Sequence, residues 1–583
     1  GLFYFSEKTK RKTTTIHQLK RLNGIAVSSL MESTKGELWV GTDQNGVYRF
    51  DKKRRLVIHY TSQGSKNRIA SNEIAQIYED SWKNIWIATK SGGLCKFNLK
   101  TGQIITYTTL NSSLTTNNIR AIVQVGRTLY LGTFDGLFAM DMSNGAISIV
   151  SHEGKGKGQL SHFSIYSLCS DRNNGLWIGT YSGGVNYYSV YNNRFTLHDP
   201  KDYISNELGI YGAMVTNRGN KLYVSTEGSG LLEWDNKANI YQCYRYNSST
   251  HVSGRNIIKS ITSMGNSQLM CGTSEGEVYV FNPSTKEFTE YSSLHMTNSI
   301  YAIHSSKDGG IWLATSKANK GLIYVRKGQG PISKFKILGQ KGLYSFPSMR
   351  SMLTVSDGVF LLGSRNNGLI RFDTKKNVIK SFNKQGKGHS HLPSDYVTTI
   401  TRDLKGQIWV GTFGGGLCLY DDKSGITKIV TEHNGIASNE IYSIVVDKQN
   451  RLWMSNGNCI TSYQPEKGKI HNYQVDVVGV QEFSPNSGVM LNNGDICFSA
   501  SNGFVTFNPN KLQLNSYSPP LVLNSLAIDN KWVSSIDGKI IDRVLDDVET
   551  LKLAHNQNNI TISYCALNYS YPQQNQYAYR LVG

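Results

Sequence analysis

Residues 176–188 read LWIGTYSGGVNYY: a tryptophan in a short apolar run, then Gly-Thr, a double glycine and aromatics. As a ligand loop, this stretch would need a helix after the glycines to aim backbone N–H groups at a phosphate, and no helical stripe follows. As scaffold, it should recur, and it does. LWVGT (38–42), IWIAT (85–89), LYLGT (129–133), LYVST (222–226), LMCGT (269–273), IWLAT (311–315), FLLGS (360–364), IWVGT (408–412), LWMSN (452–456) and a worn ICFSA (496–500) repeat the motif. The spacing is roughly 46 positions, in the range of repeat architectures. IASNEI at 69–74 returns at 436–441, about eight periods later.

Within one period, Ile165–Asp171 alternates as a strand, Asn173-Asn174-Gly175 makes a turn, and Leu176–Thr180 is a second strand. Ser182-Gly183-Gly184 turns again, Val185–Val190 is a third strand, and Arg194–His198 reads as a fourth. Four antiparallel strands per period is the pattern of a propeller blade. The tryptophan can then pack against a neighbouring blade, and the glycine in fourth place lets blades approach near the axis. Eleven motif copies, with GLFYF at 1–5 as the tail of a repeat whose beginning is missing, exceed one ring of four to eight blades. The expected fold is all-β, with two tandem seven-bladed β-propellers. The first, truncated at its N-terminus with about five blades visible, takes residues 1–200, and the second takes 201–515. After Ser518-Pro519-Pro520 the remaining chain, 516–583, alternates like an incomplete Ig-like β-sandwich.

The 583 residues include 33 Tyr and 56 Gly but 11 Pro, as expected of a folded β protein. No apolar run is long enough to span a bilayer. The eight cysteines lie singly, without CxxC or Cys/His spacing, so no metal and no cofactor are expected, and buried unpaired thiols are.

Repeats of the form D-x-x-G-x-LWIGT-x-x-GGL, the variant GGVNYY, two successive rings and a tail ISYCALNY…NQYAYRLVG resemble the periplasmic sensor half of Bacteroides-type hybrid two-component system proteins. The resemblance covers essentially the whole chain. The tail is similar to that family's three-tyrosine domain, whose tyrosines correspond to Tyr569, Tyr577 and Tyr579. The resemblance implies a periplasmic, homodimeric region that binds a glycan-derived oligosaccharide. Its signal would pass through a following membrane helix to a cytoplasmic histidine kinase that controls polysaccharide-utilisation genes. The kinase itself is not within these residues.

Net charge is +20, concentrated in two windows: residues 1–100 carry 18 basic and 8 acidic side chains, and residues 301–400 carry 16 and 4. On a blade, the turn between strands two and three and the loop joining the next blade open on one face. Lys90 of the first ring, and Lys317, Lys320, Arg365 and His391 of the second, fall on that face. Clustered cations there would favour an acidic ligand. Phe134, Tyr181 and Phe413 are candidate platforms for sugar stacking. No helical reader accompanies the basic patches, so direct nucleic-acid binding is not expected. A binding module without catalysis is the preferred reading. The alternative is a propeller lyase or glycan-processing enzyme, which would need a converging set such as His162, His391 and Tyr396, residues that this division assigns to different rings.

Overall fold

The computed structural model describes the chain except residues 1–3, 7–10, 14–20, 65–67, 100, 152–158, 190–194, 201–210, 217–220, 247–255, 265–267, 293–297, 327–328, 476–478, 513–517, 537–539, 570–571, 573–574, 576, 581 and 583. The fold is all-β and forms two compact units, residues 1–192 with 515–583, and residues 193–514.

In the first unit, antiparallel sheets follow at 27–60, 74–107, 119–151 and 165–189, after a short hairpin of Tyr4–Ser6 and Arg11–Thr13. In the second unit, seven sheets among the described residues span 211–244, 258–292, 300–325, 349–382, 397–430, 441–474 and 483–507. The first strand of each packs on the first strand of the next, and Tyr211–Thr216 packs on Phe483–Met490, so the ring closes. These first strands therefore line the axis.

The repeated D-x-x-x-x-x-W spacing has a direct cause. One carboxylate oxygen of Asp80 accepts the N–H groups of the Trp82–Asn84 turn, and the other accepts Trp86 Nε1 at 2.8 Å. Asp403 and Trp409 repeat the bond at 3.1 Å, Asp447 and Trp453 at 2.8 Å. A buried indole N–H needs such an acceptor. In the first sheet the aspartate's place is taken by Ser33, whose hydroxyl serves Glu37 N–H instead, and Trp39 Nε1 is buried without a partner among the described residues.

The second compact unit begins at Asn193, ahead of the expected domain start at 201. Phe195–His198, expected as the fourth strand of the 165–189 blade, pairs instead with Gly503–Phe507, Phe195 opposite Phe507 and His198 opposite Phe504. The reason is apolar and aromatic fit. Phe195 is buried among Phe498, Phe507 and Tyr473, and His198 stacks on Phe504 at 4.8 Å. The imidazole also bonds Tyr241 Oη at 3.0 Å and Thr506 Oγ1 at 2.8 Å. The chain thus enters the second unit as the outer strand of its last sheet.

Among the described residues the 165–189 sheet has three strands, and its Trp177 is only half-buried. The C-terminal tail, expected as a separate domain, groups with the first unit, where Tyr569 meets Trp177 edge-on at 5.0 Å. Among the described residues the expected sandwich consists of one three-stranded sheet, ordered Lys531–Trp532, Leu521–Ile528, Ile560–Ala566, over a small core of Leu526, Ile528, Ile541 and Leu545. All eight cysteines are free; Cys95, Cys271, Cys418 and Cys497 are buried as expected, whereas Cys169 is exposed.

Two outcomes are expected. Ser33→Asp supplies Trp39 with its missing acceptor and raises stability by about 1 kcal/mol in denaturant unfolding. Burial holds the His198 imidazole down from 6.5 to about 4. Between those values the unfolded chain takes up a proton that the folded unit refuses. The stability of the second unit is therefore full above pH 6.5 and falls by ~3 kcal/mol toward pH 4, a slope that His198→Gln should flatten in pH-dependent unfolding.

Candidate functional site

Every axis-lining strand carries an irregularity at the same place. Pairing with the second strand slips between Val27 and Ser29, Ile74 and Gln76, Ile119 and Ala121, and Ile165 and Ser167 in the first unit. It slips likewise between Ile258 and Ser260, Ile300 and Ala302, Met349 and Ser351, Val397 and Thr399, and Ile441 and Ser443 in the second. The first residue is apolar and packs inward, and the third is small or polar and rejoins the ladder. The second stands outside the ladder as a β-bulge, a device that re-aims a side chain. Two further slips in the second unit, Tyr211 to Met214 and Phe483 to Gly488, skip more than one residue.

In the second unit these bulges build the channel mouth. A cavity of about 140 Å³ is lined by Gly212, Lys259, Tyr301, Arg350, Thr398 and Ser484, each the second residue of its strand or next to it. Ala213, Glu227, Ile258, Tyr396, Pro485 and Asn486 complete its wall. Lys259 is ion-paired with Glu227, and the Arg350 guanidinium lies 3.8 Å from the centroid of the Tyr301 ring. Asn486, in a left-handed conformation (φ 51°), accepts the Thr399 hydroxyl at 3.1 Å, which fixes the inserted segment 484–487 across the opening. Tyr396 lies tilted against Phe413 at 5.6 Å, and Phe413 meets Tyr442 edge-on at 6.0 Å. Burial, with help from the Glu440 carboxylate, pushes the Tyr442 hydroxyl up to about 12, so it remains a neutral donor at neutral pH.

In the first unit the bulge residues Arg120 and Tyr166 organise an exposed aromatic group. The Arg120 guanidinium lies 5.0 Å from the Phe134 centroid and 4.7 Å from that of Tyr166, and it donates to Ser164 Oγ at 2.8 Å. Tyr166 stacks with Tyr181 at 5.6 Å and 28°. Phe163 stacks with His162 at 4.5 Å and meets Phe134 edge-on at 5.9 Å. Tyr181 is 68% and Tyr166 56% exposed.

Two residues expected from sequence to stack sugars, Phe134 and Tyr181, thus share one platform, and Phe413 borders the channel mouth. Lys90 is ion-paired with Asp43 on the surface. Lys317, Lys320 and Arg365 are exposed in turns between second and third strands, and His391 lies 3.3 Å from the Lys384 carbonyl; none of the four lines the cavity. Of the tail tyrosines, Tyr577 Oη accepts Ala566 N–H at 3.0 Å, Tyr569 contacts Trp177, and Tyr579 is exposed. His162 belongs to the first unit and His391 and Tyr396 to the second. Among the described residues no group of three or more His, Cys, Asp or Glu is placed to hold a metal, and no helix is long and apolar enough to cross a membrane.

Sequence reading missed the mouth residues Arg120, Lys259, Tyr301 and Arg350. Their signal is an apolar residue, one free position, a small or polar residue and a second apolar residue ahead of each motif: IRAI (119–122), IYSL (165–168), IKSI (258–261), IYAI (300–303) and MRSM (349–352). The free position is the bulge.

Comparisons with known proteins bear on this geometry. Residues 159–182 and 435–458 match the two component regulator propeller family. Over 96% of its length the chain is 26% identical to Histidine kinase P4 of Formosa agariphila, and it spans 42% of that relative. In fold it is similar to the extracellular domain of BT3049 from B. thetaiotaomicron, described as a hybrid two component system. The TM-score is 0.68 at 21% identity, covering 98% of this chain and 74% of that one. The extracellular domain of BT4673 from the same organism covers 92% of this chain and 77% of its own, at 17% identity and a TM-score of 0.43. In its repeats and along its sequence the chain resembles two-component sensor proteins, as its motifs implied.

The bulge residues should be separable from the scaffold. Tyr166→Ala, outside the ladder and exposed, is expected to cost less than about 1 kcal/mol, whereas Ile441→Ala, fully buried one position before a bulge, should cost about 2–5 kcal/mol. Equilibrium unfolding of the two variants checks the contrast.

Proposed function

We propose that this chain is the ligand-sensing ectodomain of a periplasmic sensor histidine kinase, and that its ligand is an oligosaccharide released from a glycan. The observation that carries the reading is the platform of Phe134, Tyr166 and Tyr181 around Arg120. Aromatic faces suit the apolar C–H faces of sugar rings, and a guanidinium among them supplies donors for hydroxyl oxygens. The relation to a histidine kinase supports coupling to a kinase output, and the chain's span of 42% of that relative leaves room for the output modules in such a protein.

In this reading the oligosaccharide biases two arrangements of a homodimer, and the bias passes through the tail and a following membrane helix to the kinase, which controls polysaccharide-utilisation genes. Only a difference in affinity for the two arrangements can transmit the signal. Binding without turnover is what a sensor requires.

Calorimetry against a panel of neutral and acidic oligosaccharides tests the reading. A binder is expected whose affinity falls about tenfold in Tyr181→Ala and in Tyr166→Ala. Affinity unchanged in both variants, or no binder in the panel, removes the platform reading. Turnover of the bound glycan would favour a propeller lyase or glycan-processing enzyme instead.

A further inference from the structure

The mouth of the channel in the second unit holds two cationic bulge residues in different states. Lys259 is neutralised by its ion pair with Glu227, which lines the same cavity. Arg350 has no carboxylate partner among the described residues. Its guanidinium carbon lies 3.8 Å over the centroid of the Tyr301 ring, and its Nε is buried without a hydrogen-bond acceptor among the described residues. A buried donor left unpaired costs about 1–3 kcal/mol, so a native site that keeps one calls for an explanation.

Arg350 also lines the cavity. The Tyr301 ring lies against one side of the guanidinium, and the N–H groups on its other sides can serve an acceptor. The bulge between Met349 and Ser351 aims the side chain into the mouth, and the brace between Thr399 and Asn486 holds the opposite wall. A cavity of about 140 Å³ has room for a charged terminal group and the first waters around it, and little more.

We propose that the channel mouth of the second unit is an anion subsite in which Arg350, stacked on Tyr301 and left without a carboxylate partner, receives the carboxylate or sulfate of an acidic sugar. The proposal rests on the sensing reading above for its choice of ligand, but uses different residues in a different unit. It places the charge preference at a bulge residue on the axis, and not at the exposed cations Lys317, Lys320 and Arg365. Lys259 and Glu227 contribute no net charge to the mouth, so the acid is recognised by one guanidinium. A fork of two N–H donors matches two acceptor oxygens, a geometry that a lysine ammonium does not reproduce.

The test uses the whole chain and three probes at matched ionic strength: glucuronate, galactose 6-sulfate and glucose. Calorimetry is expected to give at least about tenfold tighter binding of one or both acidic sugars than of glucose. Preference for glucuronate alone identifies a carboxylate site, and preference for the sulfate ester alone a sulfate site. The preference should vanish in Arg350→Gln and weaken in Arg350→Lys, with both variants first shown to unfold at the wild-type midpoint. Should Arg350→Gln not fold as the wild type does, Arg350→Lys and Tyr301→Leu, which removes the stacking face, carry the same comparison. Equal binding of all three sugars, or a preference retained in the variants, overturns the subsite. The two readings fail separately. Loss of the acidic preference while the oligosaccharide panel still yields a Tyr181-dependent binder rejects the anion subsite alone. An Arg350-dependent preference without a Tyr181-dependent binder rejects the platform alone.

Discussion

A Cβ added to Gly411 would lie 2.8 Å from Cγ2 of Ile441, the first residue of the next blade's inner strand, and 2.7 Å from Thr399 of its own. The same encounter recurs between Gly41 and Ile74, Gly132 and Ile165, and Gly272 and Ile300. Real side chains do not approach so closely, so glycine in fourth place sets how near two blades come at the axis. Where the blades come so near, the inner strand carries its bulge: the apolar residue plugs the gap left by the glycine, and the residue after it is turned out of the ladder. Packing and exposure are thus assigned to adjacent positions by one steric requirement. The mouth of each unit is furnished by residues that the scaffold leaves free to vary.

That division explains what was legible in the sequence. LWIGT announces itself because three constraints meet in it: the tryptophan that fills the space between blades, the glycine that permits their approach, and the threonine whose hydroxyl bonds a carbonyl past the turn, as Thr412 Oγ1 does to Gly416 O at 2.8 Å. Each constraint restricts residue type, so the motif repeats and the blades can be counted by eye. Arg350 and Tyr301 obey no such restriction. Without an expectation of the bulge, MRSM and IYAI are ordinary alternating strands, and period-two reasoning hides which residue leaves the ladder. The exposed lysines are marked in the sequence by charge alone, which says nothing about which way a side chain is aimed. Phe134 and Tyr181 occupy the variable place beside the glycines, which marks them in the sequence.

The Arg194–His198 segment departs from its expected sheet for a related reason. A strand's own alternation records which face is buried and carries no label for the sheet that buries it. Phe195 fits equally well, on sequence, as the outer strand of the blade before it or of a blade three hundred residues later. Only the apolar surface offered by Phe498 and Phe507, and the stacking face of Phe504, decides.

The bond from His198 to Thr506 joins residues 308 positions apart. During synthesis, the opening strand of the second unit leaves the ribosome long before its partner exists. It must remain unpaired while every other blade of that unit is made, with an apolar edge exposed in the interval. The closing of the ring is therefore a late event, and it converts a stack of repeats, each stabilised only by its neighbours, into a body whose first and last elements stand or fall together.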